Sequence, residues 1–202
     1  MLELIIQILI TLVVAYIIGS IPTGYLIVKS KTGDDIRAIG SGSTGATNVK
    51  RVLGKKWFFI VLLLDAFKGA LPVILATIFA TAGKSYGLIP VIAAISVIIG
   101  HSKSCFLGFK GGKSVASGVG TILALNFYVG VLIAIIWGAI TYTTKYVSVG
   151  SIIALLLSPF LMFIFNAPIA YVIYCALGAI YIVYLHRENI KRLINGNENK
   201  VR

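Results

Sequence analysis

The sequence predicts an all-α, polytopic integral membrane protein of about seven transmembrane helices. Of its 202 residues, 58% are hydrophobic and only 12% are charged, whereas a soluble domain carries about 25% charged residues. The apolar residues form runs of the length that crosses a bilayer, which takes roughly 17–25 residues. The nearly charge-free runs are Leu2–Val28, Trp57–Ala82, Tyr86–Gly100, Val115–Tyr142, Val147–Phe165 and Ala167–Leu185.

The basic residues predict how the chain is oriented, because Lys and Arg accumulate in cytoplasmic loops. If the run from Val115 turns near Asn126, seven spans result, with the N-terminus outside and the C-terminus in the cytoplasm. Every Lys and Arg is then cytoplasmic except Lys68, within a span, and Lys84, in an exterior loop. The segment before Asn126 is too short to cross alone and is expected to be a partial helix sheltered by its neighbours.

The net charge of +12 predicts an anionic binding partner. Because the basic residues lie in short loops beside the spans, they favour anionic membrane lipid or a phosphorylated substrate over nucleic acid. Cys105 and Cys175 are far apart and match no metal or redox motif, so both are predicted to be packed thiols. We therefore expect residues 1–202 to form a single integral membrane domain without a metal site or a cofactor.

The first polar segment, residues 34–51, combines glycines with hydroxyl, amide and guanidinium groups. Gly40, Gly42 and Gly45 allow positive φ, and successive backbone N–H groups in such a loop can bind an anion. The other candidate anion-binding residues of this segment are Ser41, Ser43, Thr44, Thr47, Asn48 and Arg51. A flexible linker is the alternative, but a linker does not require threonine, asparagine and arginine after its glycines.

The second polar segment, residues 100–114, places two lysines around a glycine pair. Lys110, Gly111, Gly112 and Lys113 directly precede a predicted helix, and helix N-termini favour anions. Lysines that only set membrane topology are the alternative, although topology does not require the glycines. The end of the segment resembles a P-loop, but no strand precedes it and its opening glycine is missing, which excludes a nucleotide-binding loop.

The third polar segment, residues 186–200, reads as an amphipathic helix that lies at the membrane surface. Ile190, Leu193 and Ile194 share one face at helical spacing. On a helix, His186 and Asn189 would lie on a common face, three residues apart. The alternative for His186, at the exit of a span, is a simple interfacial cap.

One span also carries two charges of opposite sign. Asp65 and Lys68 are three residues apart, and a charge inside a bilayer is costly unless it is paired. We expect them to pair with each other or to face the interior of the helix bundle.

These segments together resemble the bacterial acyl-phosphate-dependent glycerol-3-phosphate acyltransferases, in order and spacing, over nearly the whole chain. The matching stretches are Gly19-Ser-Ile-Pro22-Thr-Gly24, Arg37-x-x-Gly-Ser-Gly-x-x-Gly-Ala-Thr-Asn48-x-x-Arg51, Leu64-Asp65-x-x-Lys68-Gly69, Gly100-His101, Phe109-Lys-Gly-Gly-Lys113, Tyr146-Val-Ser148 and His186-Arg-Glu-Asn-Ile190-x-Arg-Leu. No single stretch is specific, but the set is.

The resemblance implies an enzyme of the inner, or cytoplasmic, membrane whose active-site loops face the cytoplasm. It implies transfer of a fatty acyl chain from acyl phosphate to the 1-hydroxyl of glycerol-3-phosphate, which gives lysophosphatidic acid and inorganic phosphate. Such an enzyme needs no cofactor, since its donor is already activated, and it depends functionally on an enzyme that produces acyl phosphate.

The resemblance also assigns site residues by position. Those implied to be catalytic are Ser41, Arg51, His186 and Asn189, and those implied to bind substrate phosphate are Ser43, Asn48, Lys110, Gly111, Gly112 and Lys113. The chain departs from the family at Ser43, where asparagine is usual, and at Ser114, where glycine is usual. The general base is left open between His186 and the phosphate of the substrate.

Two other functions fit parts of the sequence. A transporter or channel for an anionic solute would also use broken helices and basic residues, but its charged groups would lie near the middle of the bilayer. A scaffold that only binds anionic lipid would explain the lysines, though not the glycines, Asn48 or His186.

Overall fold

The computed structural model describes residues 2–80 and 87–201, and over these residues the chain is helical, without strands. The α-helices are α1 Leu2–Ser20, α2 Thr23–Thr32, α3 Ala46–Leu53, α4 Lys55–Phe79, α5 Leu88–Ser102, α6 Val115–Leu125, α7 Phe127–Thr144, α8 Val147–Ile164, α9 Ile169–Leu185 and α10 Arg187–Ile194. Single 3₁₀ turns at Ile36–Ala38 and Cys105–Leu107 interrupt the first two polar segments. The predicted all-α class is confirmed.

The chain divides into two compact units, Met1–Thr121 and Ile122–Arg202. In the first unit, α1 packs on α4 and α5, and α4 also packs on α3 and α5. In the second unit, α8 lies between α7 and α9, and α10 packs on α9. The first two polar segments therefore belong to the first unit and the third segment belongs to the second.

Length and apolar composition identify five membrane-spanning helical segments among the described residues. They are Leu2–Thr32, Lys55–Phe79, Leu88–Leu107, Phe127–Thr144 and Val147–Ile164. The count is six if α9 and α10, which meet at a bend of 59°, form one span. The seventh apolar segment, α6, has 11 residues and is shorter than a full span, as predicted.

The predicted turn near Asn126 is confirmed. Asn126 stands between α6 and α7, and its side-chain oxygen accepts a hydrogen bond at 3.2 Å from the backbone N–H of Val129. This contact satisfies one of the donors that a helix start leaves unpaired, which explains why the apolar run is divided there.

The direction in which the spans cross the membrane stays a prediction. The ends of two predicted runs, at Ala82 and Tyr86, and the predicted exterior loop near Gly83 with Lys84 lie outside the described residues.

Helices of the first unit approach each other closely where glycine replaces a larger side chain. A Cβ added at Gly19 would overlap the backbone of Val97, and one added at Gly100 would overlap the carbonyl oxygen of Tyr16, so α1 and α5 cross backbone to backbone. Between α4 and α6, Gly69 faces the backbone of Ser117 in the same way. Small residues at crossings are the usual means of tight helix packing in membranes, where burial of apolar surface supplies little driving force.

The two charges within α4 form the expected pair. The ammonium of Lys68 lies 2.9 Å from a carboxylate oxygen of Asp65, and both side chains are buried.

The prediction for the cysteines is half right, because Cys175 is buried and Cys105 is exposed. Cys105 begins a 3₁₀ turn in the second polar segment.

We predict that Gly100→Ala lowers the free energy of unfolding by about 1–3 kcal/mol, because the added methyl forces α1 and α5 apart. The matched control is Gly138→Ala in α7, where an added Cβ has no neighbour within 4 Å. This second change should be neutral, or stabilising by up to about 1 kcal/mol through helix propensity. Thermal unfolding of both variants in the same detergent measures the difference, and equal effects would show that the crossing is not tightly packed.

Candidate active site

The first polar segment is organised around the buried amide of Asn48. Its nitrogen donates to the carbonyl oxygens of Ile36, Ile39 and Ser43, at distances of 3.2, 2.9 and 3.0 Å. Helix α3 holds Asn48 under the loop, since Gly45 caps the helix start and Asn48 is only 1% exposed. One side chain thus fixes the course of a segment that has little regular structure.

The amide oxygen of Asn48 brings two of the predicted catalytic residues together. It accepts a hydrogen bond from the backbone N–H of Ser41 at 3.1 Å and another from the guanidinium of Arg51 at 3.4 Å. Ser41 and Arg51 are both exposed at the surface of the first unit. The sequence separates them by ten positions, and the turn of α3 that places Arg51 three residues after Asn48 closes this gap.

The glycines of this segment differ in what they do. Gly40 and Gly42 have φ of 61° and 66°, as predicted, whereas Gly45 has φ of −78° and serves as the cap of α3. The expected open row of backbone donors is partly closed, because the N–H of Gly42 bonds to Ile39 and that of Gly45 bonds to the Ser43 hydroxyl oxygen. Direct contacts of Ser43 and Asn48 with phosphate stay predictions, and in this structure both side chains shape the loop.

The glycine pair of the second segment packs against the end of α5. The N–H of Gly112 donates to the carbonyl oxygen of His101 at 3.0 Å. A Cβ at Gly111 would overlap that carbonyl, and one at Gly112 would overlap the imidazole ring of His101. The absence of side chains here is therefore required by packing on α5, whatever ligand the loop binds. Lys110 is exposed and Lys113 is half-buried, immediately before α6 begins at Val115.

Ser114 stands where the family that the sequence resembles usually has glycine. Its φ of 58° is in the left-handed region, which is uncommon for a residue other than glycine. The buried hydroxyl donates to the carbonyl oxygen of Ile98 in α5 at 2.9 Å. This bond offsets part of the backbone strain and ties the start of α6 to α5.

Arg37 joins the first two segments at one end of the first unit. Its guanidinium bonds to the carboxylate of Asp35 at 2.6 Å, reaches the carbonyl oxygen of Leu107 at 3.4 Å and lies over the ring of Tyr25. The hydrogen bonds from Arg37 lower the pKa of Asp35 from its usual value to about 2. Sequence reasoning found Arg37 within a motif but gave it no role, because two of its three partners, Tyr25 and Leu107, are 12 and 70 residues away.

The third segment buries both of its predicted catalytic side chains. The Nδ1 atom of His186 lies 2.8 Å from the carbonyl oxygen of Ile182, and because that oxygen is an acceptor, Nδ1 carries a proton. Asn189 is 8% exposed and donates to a carboxylate oxygen of Glu198 at 2.7 Å. The predicted surface helix corresponds to α10, in which Ile194 is 79% exposed.

Glu198 organises this segment, and sequence reasoning missed it. Its carboxylate also accepts bonds from the hydroxyl of Ser148 at 2.9 Å and from the guanidinium of Arg192 at 2.8 Å. Burial by itself would raise the pKa of Glu198, but the hydrogen bonds from Asn189, Arg192 and Ser148 outweigh it and lower the pKa. The signal in the sequence was an acid among the basic residues of the tail, which sequence alone cannot connect to Ser148.

A buried polar cluster lies beneath the second segment. It consists of Thr23, Asp65, Lys68, His101 and Ser117. The hydroxyl of Thr23 donates to the carboxylate of Asp65, and Nδ1 of His101 lies 3.2 Å from the hydroxyl of Ser117. Sequence reasoning expected the charge pair and did not foresee that histidine and serine would join it. Residues 2–80 and 87–201 contain no group of three acidic, His or Cys side chains placed to hold a metal ion.

The fold and this arrangement define a class of protein: an integral membrane helix bundle whose polar side chains and glycines are concentrated in segments between the spans. The family model described as glycerol-3-phosphate acyltransferase matches residues 9–196. The chain belongs to the glycerol-3-phosphate acyltransferase family.

Relatives match this chain over nearly its full length. The glycerol-3-phosphate acyltransferase of Trichormus variabilis is 42% identical over 202 residues, covering 94% of this chain and 89% of its own length. Glycerol-3-phosphate acyltransferase 2 of Moorella thermoacetica is also 42% identical and covers 96% and 97%. The crystal structure of PlsY, an integral membrane glycerol 3-phosphate acyltransferase, superposes in its glycerol 3-phosphate form with a TM-score of 0.90 at 35% identity, covering 96% of each chain. Its lysophosphatidic acid form gives a TM-score of 0.88.

We predict that acid weakens the second unit through Glu198. Because the folded-state pKa lies below the ordinary value of 4.5, the stabilisation by this carboxylate is complete above pH 4.5 and is lost as the pH falls through the lowered folded value. Thermal unfolding of wild type and Glu198→Gln between pH 7 and pH 3 measures the effect. The Gln variant should be less stable at pH 7, and the gap should close toward pH 3. A gap that stays constant would exclude ionisation of Glu198 as its cause.

Proposed function

We propose that this protein transfers a fatty acyl chain from acyl phosphate to the 1-hydroxyl of glycerol-3-phosphate. The hydroxyl oxygen forms a bond to the acyl carbon, the bond from that carbon to the phosphate oxygen breaks, and the hydroxyl proton passes to a base. The products are lysophosphatidic acid and inorganic phosphate. The observation that carries the proposal is the close superposition on a solved acyltransferase in its glycerol 3-phosphate and lysophosphatidic acid forms.

The polar segments supply what this reaction requires. An acyl phosphate is already activated, so the protein needs no covalent nucleophile, but it must bring two phosphate-bearing substrates together against their repulsion. Positioning of this kind supplies up to about 7–11 kcal/mol of rate enhancement. We assign substrate phosphate to Lys110, Lys113 and the glycine pair between them, with Arg51 and Ser41 as groups that stabilise the reacting phosphates.

Asn48 and Ser43 complete this assignment as residues of the first segment that bind phosphate or shape the loop that does. His186 and Asn189 are included through their match to the third family motif. Two proton acceptors are chemically competent, Nε2 of His186 and the phosphate of glycerol-3-phosphate. The pH profiles of kcat for wild type and His186→Gln separate them. If His186 is the base, the substitution removes one titrating group from the profile. If the substrate phosphate is the base, that group remains.

The proposal includes a cellular setting. The protein lies in the cytoplasmic membrane with these segments facing the cytoplasm, where glycerol-3-phosphate is soluble and the acyl tail of the donor stays in the bilayer. The positive charge of the segments supports this orientation, because basic loops remain on the cytoplasmic side. The reaction depends on an enzyme that produces acyl phosphate.

The test supplies purified protein in lipid vesicles with acyl phosphate and labelled glycerol-3-phosphate. Labelled lysophosphatidic acid should form together with an equal amount of inorganic phosphate, and neither should form without the donor. If label accumulates inside the vesicles without product, the protein is a transporter and the proposal is wrong. If product forms from another acyl donor and not from acyl phosphate, the donor is wrong and the acceptor stands.

We predict that Arg51→Lys lowers kcat/KM for the reaction by about 100-fold. Lysine keeps the charge but loses the planar pair of donors that binds phosphate at two points, as well as the contact with Asn48. The matched control is Lys56→Ala, which removes one exposed charge at the start of α4 and should change kcat/KM less than threefold. Steady-state kinetics with each substrate varied in turn measures both. Equal losses in the two variants would mean that only net charge matters.

A further inference from the structure

The buried polar cluster joins the supports of both polar segments of the first unit. Its centre is the ion pair of α4, in which the Asp65 carboxylate is 1% exposed and Lys68 is 6% exposed. Buried charges in a membrane protein are costly and mark functional positions by default. The Asp65 carboxylate has contacts with three elements, α2, α4 and α5, through Thr23, Lys68 and His101.

One side of the cluster leads to the first segment. Lys68 donates at 2.6 Å to the carbonyl oxygen of Ile21, which lies at the break between α1 and α2. Thr23, the first residue of α2, donates to Asp65. The next residue, Gly24, packs so closely on the first segment that an added Cβ would overlap the carbonyl oxygen of Thr44. The ion pair thus fixes the N-terminal end of α2, which packs against the first segment.

The other side leads to the second segment through His101. Its Nδ1 atom lies 3.8 Å from the Asp65 carboxylate and 3.2 Å from the hydroxyl of Ser117 in the first turn of α6. Gly112 packs against the ring of His101 and donates a hydrogen bond to the carbonyl oxygen of His101. A single imidazole therefore holds the residue before Lys113 and the helix that follows it.

We propose that Asp65 and His101 are positioning residues that hold the two segments of the first unit in the geometry that binds substrate phosphate. This inference rests on the proposed function, since it assigns the two segments to the active site. Neither residue contacts substrate in this account. They act through Thr23 and Gly24 on one segment, and through Gly112 and Ser117 on the other.

The decisive variant removes both charges together. Asp65→Asn alone leaves the Lys68 ammonium buried without its counter-ion and is expected to destabilise the fold. The double variant Asp65→Leu/Lys68→Met has no charge to bury and should fold, as replacing both partners of a buried ion pair by apolar residues often does. The matched control on the same helix is Thr77→Val, because within residues 2–80 and 87–201 the Thr77 hydroxyl bonds only to Val73, one turn earlier.

Three readouts separate positioning from folding. Thermal unfolding should show the double variant folded, with a midpoint within a few degrees of wild type. Hydrogen exchange should become at least tenfold faster in residues 36–48 and 105–114 of the double variant and stay unchanged in Thr77→Val. Steady-state kinetics should show at least a tenfold loss of kcat/KM in the double variant only. A folded double variant with wild-type exchange and wild-type kinetics would overturn the proposal.

A second pair of variants keeps the test decisive if the double variant does not fold. His101→Asn retains a polar atom near the position of Nδ1, and His101→Ala removes it. Asn should retain more kcat/KM than Ala, and exchange at residues 105–114 should rise only in Ala. Equal kinetics and exchange in the two variants would overturn the role of His101. Failure of wild type to make lysophosphatidic acid would instead contradict the proposed function, and the exchange data would still decide whether the cluster holds the segments.

Discussion

Helix α4 can carry a buried carboxylate and a buried ammonium only because other helices come close enough to complete their hydrogen bonds. Gly69 lets the backbone of α6 approach α4, and Gly19 and Gly100 let α1 and α5 cross in contact. These crossings bring the carbonyl oxygen of Ile21 and the hydroxyl of Thr23 to the ion pair of α4. An ion pair of this kind contributes little net stability, so its value lies in fixing which backbone positions meet.

Each polar segment is then ordered by one side chain that satisfies several partners. The amide of Asn48 bonds to three carbonyl groups and two donors of the first segment. The imidazole and carbonyl of His101 support the second segment. In the third segment, the carboxylate of Glu198 accepts hydrogen bonds from three side chains. The residues left at the surface, such as Ser41, Arg51 and Lys110, are the ones that suit a phosphorylated ligand. A preformed arrangement of this kind reduces the ordering cost of binding.

Much of the fold could be predicted from the sequence, because long apolar runs and the placement of basic residues are properties of the chain alone. The divided run at Asn126 followed from charge, and the pairing of Asp65 with Lys68 followed from helical spacing. The roles of Glu198 and His101 could not be predicted, since their partners are brought near only by tertiary packing. The glycine pair at 111–112 was expected to bind substrate phosphate, and the structure shows that the pair is also required by contact with α5. The exposure of Cys105 was missed because a loop position gives no periodic signal.

The measurement that tests this account most directly is a crystal structure of the protein with glycerol-3-phosphate bound. The account predicts that the phosphate lies within hydrogen-bond distance of the Arg51 guanidinium or the glycine pair. It also predicts that Asn48 keeps its bonds to Ile39 and Ser43, with the ion pair of α4 unchanged. A phosphate bound elsewhere, or an Asn48 side chain that turns out of the loop to reach the ligand, would contradict the claim that buried polar side chains preform the site.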